Sequence, residues 1–181
     1  AIVFSEHPRA RVLAIHTDEA TDMPGVVRIL TADDIPGERV LGLYAKDWPV
    51  YIKVGEVTRY IGDALACVVA ETEAEARAAA ACVKVDYEVL TPLLDMEEAE
   101  TSPIHIHENG NILLDKTIRR GEPVDEALAR CAFTAEATYR TQAVEHAFIE
   151  PEATLAVPEA GGVRLYVQSQ GIWHDKTDIA A

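Results

Sequence analysis

Between Val144 and Ala156 the chain reads Val-Glu-His-Ala-Phe-Ile-Glu-Pro-Glu-Ala-Thr-Leu-Ala. Four ionisable groups, Glu145, His146, Glu150 and Glu152, fall within eight residues and are interleaved with apolar ones. Pro151 has no N–H to donate and biases Glu150 towards an extended backbone, so a strand and turn are expected here rather than a helix. Val144, Phe148, Ile149, Leu155 and Ala156 read as core contributors. Acids and a histidine among them must be paired, solvated or functional, because burying an unpaired charge is costly. Spacing leaves two readings open, a solvated strand and turn or a functional site.

Two other stretches carry chemistry-capable side chains. Tyr166-Val-Gln-Ser-Gln-Gly171 ends a strand pattern on Ser169-Gln170, but no histidine stands at a spacing that would make Ser169 a nucleophile. His105 and His107 are two apart and would share one face of an extended segment. No third ligand follows at a useful spacing, so a structural metal is not expected. The cysteines, Cys67, Cys82 and Cys131, are odd in number, widely spaced and set among apolar residues. They read as buried free thiols in a reducing compartment, and zinc-finger and iron–sulfur spacings are absent.

The elements that must hold these residues follow from patterning. Arg11–His16 and Val26–Leu30 read as strands, with a short helix at Asp18–Thr21 between them. Thr31-Ala-Asp-Asp-Ile-Pro36 offers a capped helical turn stopped by proline. Residues 57–72 read as two short strands around Gly62, the second being Ala64–Ala70, almost wholly apolar and a candidate central strand. Thr72–Cys82 has the strongest helix propensity in the chain and an acidic first turn. Residues 83–90 alternate into a strand, and Asp95–Glu100 reads as a short helix. A turn at Glu108-Asn-Gly-Asn111 marks a boundary. Beyond it, Pro123–Arg130 predicts a short helix and Phe133–Gln142 a long strand facing both solvent and core. Thr154–Val157 and Val163–Val167 predict a hairpin, and Ile172 opens another helix.

Composition narrows the function class. A formal charge of −15 over 181 residues disfavours nucleic acid, which needs a concentrated basic surface. No apolar run approaches the roughly 20 residues of a membrane span, and no basic-then-apolar leader opens the chain. A soluble, cytoplasmic protein is expected.

Taken together, His146-Ala-Phe-Ile-Glu150-Pro151-Glu152-Ala and the later Ser169-Gln170 step resemble the start of the molybdopterin-binding region of the xanthine dehydrogenase and aldehyde oxidase family. Upstream, Arg59-Tyr-x-Gly62, Val-Val-Ala-Glu71-Thr, the Ala-rich helix and Val85-Asp-Tyr87-Glu-x-Leu90-x-Pro92 resemble that family's α/β hammerhead domain. The resemblance implies an α+β chain. Residues 1–106 would form an α/β hammerhead domain, and 107–181 the first strands of a mixed α/β molybdopterin-binding domain.

Members of the family hydroxylate carbon with a molybdenum ion held by a pterin dithiolene, using water as the oxygen source, and the protein gives the metal no direct ligand. The resemblance assigns Gln170 to the cofactor, where an uncharged amide can donate and accept hydrogen bonds beside the metal. A polar residue capping the helix at Ile172 is the alternative reading of Gln170. Glu150 is expected to hold loop groups in place and His146 to be a packing histidine.

The family's later pterin-contacting Gly-Gly-x-Phe-Gly-x-Lys segment and its glutamate base are not in this sequence. The chain is therefore expected to be an N-terminal fragment with no catalytic residue of its own, inactive and binding no molybdenum cofactor by itself. The parent would oxidise a purine, related heterocycle or aldehyde, as an oligomer with iron–sulfur and FAD subunits or domains. A non-catalytic acidic interaction module is the competing reading.

Overall fold

The computed structural model describes residues 1–42, 45–142, 144, 149 and 153–180. The chain divides into two compact units, Ala1–Leu113 with the residues from Thr177 onward, and Leu114–Lys176.

The first unit is built around the apolar run that patterning singled out. Strand β6 (Ala64–Ala70) lies between β1 (Ile2–Phe4) and β3 (Val26–Thr31), antiparallel to both. Because side chains alternate across a strand, β6 feeds two cores. Ala66 and Val68 join Val3, Ala20 and Ala79 on one side, while Leu65 packs with Val12 and Ile52 on the other. The alanines permit close approach by α1 (Asp18–Thr21) and α2 (Glu73–Ala80). Helix α2 starts where the sequence predicts: Thr72 has extended backbone and its hydroxyl accepts from the Glu75 amide at 3.3 Å. That bond satisfies one of the otherwise orphaned first-turn donors. The Thr31 turn is also present, as one turn of 3-10 helix at Ala32–Asp34 closed by a capping box between Thr31 and Asp34.

A second sheet pairs β2 (Ala10–His16) with β7 (Lys84–Val89), antiparallel. The other edge of β2 is satisfied by residues 55–58. Val12 N donates to Glu56 O at 2.9 Å, Gly55 N to Val12 O at 2.7 Å, and Thr58 N to Ala10 O at 2.8 Å. The strand expected over 57–61 is thus reduced to a single bridge, Val57 with Arg11. The chain leaves β2 at once because a turn follows, closed by Asp63, whose carboxylate accepts from the Arg59 amide at 2.6 Å and the Tyr60 amide at 3.3 Å. Gly62 sits in this turn at φ 103°, a conformation that favours glycine. Two-residue strands β4 (Val40–Leu41) and β5 (Trp48–Pro49) and helix α3 (Met96–Thr101), capped by Asp95, complete the unit.

The second unit contains α4 (Val124–Ala129), the hairpin β8 (Thr154–Glu159) with β9 (Gly162–Val167), and most of α5 (Ile172–Ala180). Helix and hairpin agree with the pattern; the long strand over Phe133–Gln142 does not. Those residues form no strand, and Phe133 and Tyr139 are 95% and 88% exposed. Alternation supplies a face, but a strand also needs a partner edge, and this segment pairs with none among the described residues.

Candidate functional site

Gln170 follows β9 at the bend that leads into α5, and it is exposed. The bend is organised by its neighbours: Gly171 N donates to Ser169 Oγ at 2.9 Å, and the Gly171 carbonyl accepts from His174 N at 2.9 Å and Asp175 N at 3.2 Å. The first turn of α5 is therefore set by Gly171, and the Gln170 carboxamide makes no hydrogen bond among the described residues. It is not the helix cap. Ser169 Oγ is engaged in the local turn, which leaves it no nucleophilic arrangement. His146, Glu150, Pro151 and Glu152 lie outside the described residues.

Two features bear on whether this region suits an organic cofactor. Gln170 offers an unengaged donor and acceptor. Asp175, five residues on, has a buried carboxylate oxygen, Oδ2, with no hydrogen-bond partner. An orphaned buried acceptor is costly and marks a place where a donor from outside the described residues would be accommodated. Among the described residues, no three His, Cys, Asp or Glu side chains converge as a metal-binding group. The Gln170 amide and Asp175 Oδ2 are thus the groups at this bend that could hydrogen-bond a bound organic group.

His105 is exposed, and His107 is taken up elsewhere, with Nδ1 2.6 Å from Asp47 Oδ2. Cys67, Cys82 and Cys131 are free thiols, but the expectation that all three are buried is corrected. Cys67 and Cys82 are half-buried at the edges of the cores, and Cys131 is exposed. It follows the short helix α4, and its thiol donates to the Ala127 carbonyl at 3.5 Å. Cys67 lies beside Tyr51, whose phenol is pushed up to about 12 by burial, with the Cys67 thiol adding to the shift.

Patterning marks Asn111 as part of a boundary turn but not as the residue that organises the end of the first unit. Its Nδ2 donates to the carbonyls of Ala99 at 3.0 Å and Ile104 at 2.8 Å, and its Oδ1 accepts from Ile106 N at 2.8 Å. The only signal was the turn chemistry of Asn109-Gly110-Asn111.

The family model for the aldehyde oxidase and xanthine dehydrogenase a/b hammerhead domain matches residues 1–91, and that for the molybdopterin cofactor-binding domain matches residues 104–181. The chain is 33% identical to a probable xanthine dehydrogenase subunit of Bacillus subtilis, over 99% of this chain and 24% of that protein. It is 34% identical to the nicotinate dehydrogenase large molybdopterin subunit of Eubacterium barkeri, over 96% of this chain and 40% of that protein. Among solved structures, the aldehyde oxidoreductase of Desulfovibrio gigas superposes with a TM-score of 0.54 at 33% identity, over 60% of this chain and 13% of that one. The chain thus spans well under half the length of these relatives. No helix among the described residues is long and apolar enough to cross a membrane. The chain belongs to the aldehyde oxidase and xanthine dehydrogenase family, of which it carries the α/β hammerhead domain and the beginning of the molybdopterin cofactor-binding domain.

Proposed function

We propose that this chain acts as the hammerhead domain and first molybdopterin-domain elements of a molybdenum hydroxylase subunit, and that Gln170 is its cofactor-contacting residue. The observation that carries the reading is the state of the second unit. Its hairpin and the 131–142 segment display Phe133, Tyr139, Leu155 and Val163 to solvent, each at least 60% exposed. A lone two-stranded hairpin is marginal in water, and apolar surface on this scale belongs against more protein. Further sequence of the same subunit supplies that cover, and relatives of which this chain spans 40% or less support it.

The bound group would be a molybdenum–pterin, supplying hydroxylation of a carbon centre by water with release of two electrons and two protons. This chain's residues do the holding. The Gln170 amide hydrogen-bonds the cofactor without adding charge beside it, and Asp175 Oδ2 accepts a donor at the start of α5. The electrons would leave through iron–sulfur and FAD subunits or domains of a cytoplasmic oligomer. The substrate class is a purine, a related heterocycle or an aldehyde, and the isolated 181-residue chain neither retains the cofactor nor turns over substrate.

The test is Gln170→Ala in the full-length subunit, assayed with a dye acceptor alongside molybdenum content. Activity or metal retention falling about 10- to 100-fold, the range for second-sphere partners of metal sites, is the expected result. Unchanged activity and unchanged metal content would remove Gln170 from the site.

A further inference from the structure

We infer that Ser169 is a positioning residue for Gln170: its hydroxyl fixes the bend from which the Gln170 carboxamide reaches a bound cofactor. The role presupposes the cofactor contact proposed for Gln170 and adds the side chain that sets where that contact is made. The pairing of β9 with β8 ends at Val167, opposite Thr154, and α5 begins at Ile172. Residues 168–171 therefore cross from strand to helix with no strand partner among the described residues. An exposed glutamine on such a segment is spread over many conformations unless something else fixes its backbone.

Two anchors do so. On the helix side, the Gly171 carbonyl accepts from the amides of His174 at 2.9 Å and Asp175 at 3.2 Å. These main-chain bonds open α5 and need no particular side chain at 169 or 170. The other anchor depends on sequence. Ser169 Oγ accepts from Gly171 N at 2.9 Å, the local turn in which a serine hydroxyl reaches the amide two residues on. That amide belongs to the planar peptide unit that follows Gln170. Holding it fixes the Gln170 ψ angle, and with it the direction in which the carboxamide leaves the chain.

Gly171 leaves little slack on the far side, because a Cβ there would stand 3.3 Å from His174 Cδ2. Ser169 and Gln170 thus divide one task. The Gln170 carboxamide offers a donor and an acceptor, while Ser169, bonded within the turn, acts through its neighbour. A group that contacts a cofactor must be held to within about 0.5 Å of its working place. One hydrogen bond of ordinary strength shifts the aimed population by about two- to tenfold.

The experiment measures the rate constant of molybdenum loss to a chelating resin from the native enzyme, purified through a tag on the chromosomal copy. Wild type is compared with Ser169→Ala, Ser169→Thr, Gln170→Ala and the double variant Ser169→Ala/Gln170→Ala. Ser169→Ala should speed the loss about two- to tenfold, and Ser169→Thr, which keeps the acceptor oxygen, should restore the wild-type rate. The double variant should lose molybdenum no faster than Gln170→Ala, because a residue that acts only through Gln170 then has nothing left to position. An effect of Ser169→Ala that persists undiminished in the Gln170→Ala background would make the serine merely structural and overturn the inference. A wild-type rate in Ser169→Ala would overturn it too. In both cases a fast loss from Gln170→Ala leaves the Gln170 contact standing. A wild-type rate in Gln170→Ala, or a native enzyme without molybdenum, removes contact and positioning together. Should Ser169→Ala load no molybdenum, Ser169→Cys, with its weaker acceptor, should lose it about twofold faster than wild type or more, and a wild-type rate there would equally overturn the inference.

Discussion

Asn111 Nδ2 lies 3.0 Å from the main-chain carbonyl of Ala99 in α3, and the same amide group bonds Ile104 and Ile106. One side chain thereby ties helix α3 to the loop that ends the first unit. Asn111→Ala removes three half-buried hydrogen bonds, with an expected loss of about 1–3 kcal/mol in urea unfolding. Asn111→Asp should cost at least as much at neutral pH, because a carboxylate has no donor for the two carbonyls. Cleavage by a non-specific protease should move into residues 102–113 in both variants. Wild-type stability and cleavage pattern in Asn111→Ala would show the clasp to be idle.

Asp63 is 2% exposed, and burial holds its carboxyl above the usual carboxylate range, outweighing the amide hydrogen bonds and the Arg59 charge that pull it down. A value raised on folding means the folded protein binds this proton more tightly than the unfolded chain. The contribution is fully present below the ordinary value near 3.9 and is lost as pH rises through the folded value. Asp63→Asn keeps an acceptor for the turn and carries no charge. Its unfolding free energy, measured between about pH 4 and pH 7, should therefore gain on wild type as pH rises. Asp63→Ala, lacking the acceptor, should lose about 1–3 kcal/mol. Parallel pH profiles for Asn and Asp would contradict this assignment.

Leu65 is fully buried between Val12 and Ile52, on the face of β6 opposite the alanine-rich core. Leu65→Ala should cost about 2–5 kcal/mol by lost burial and the cavity left behind. Val69→Ala, on the same strand but at a 39% exposed site, should cost well under half of that. Equal losses for the two would mean that β6 is not packed on that face.

Thiol chemistry separates the cysteines. Cys131 is exposed while Cys67 and Cys82 are half-buried, so Ellman's reagent should modify Cys131 first in the native chain. Cys131→Ser should remove the fast phase. A single phase accounting for all three thiols would mean that the first unit opens as readily as the second.

Structure was legible in the sequence wherever the interactions that make it are local. Strand β6, helix α2 with its Thr72 cap, the Thr31 capping box and the β8–β9 hairpin are each specified within a dozen residues. The strand expected at 133–142 fails because alternation reports which face could be buried and not what would bury it. The reach of Arg59 to Asp47, of Asn111 to Ala99 and of Asp63 back onto its own turn depends on chain geometry that spacing does not encode. Gln170 came into view by resemblance, since nothing in the types or spacing of its neighbours distinguishes it from a helix cap. Its unengaged amide appears only once the bend before α5 is in place.

Whether these domains serve a larger molybdenum enzyme is decided by purifying the native protein through a tag on the chromosomal copy, then measuring polypeptide mass and molybdenum content together. The expected result is a polypeptide several times heavier than the 19.7 kDa of this chain, carrying about one molybdenum per polypeptide, as a single pterin-held metal requires. A native polypeptide of 19.7 kDa without molybdenum would contradict the proposal and leave an acidic binding module in its place.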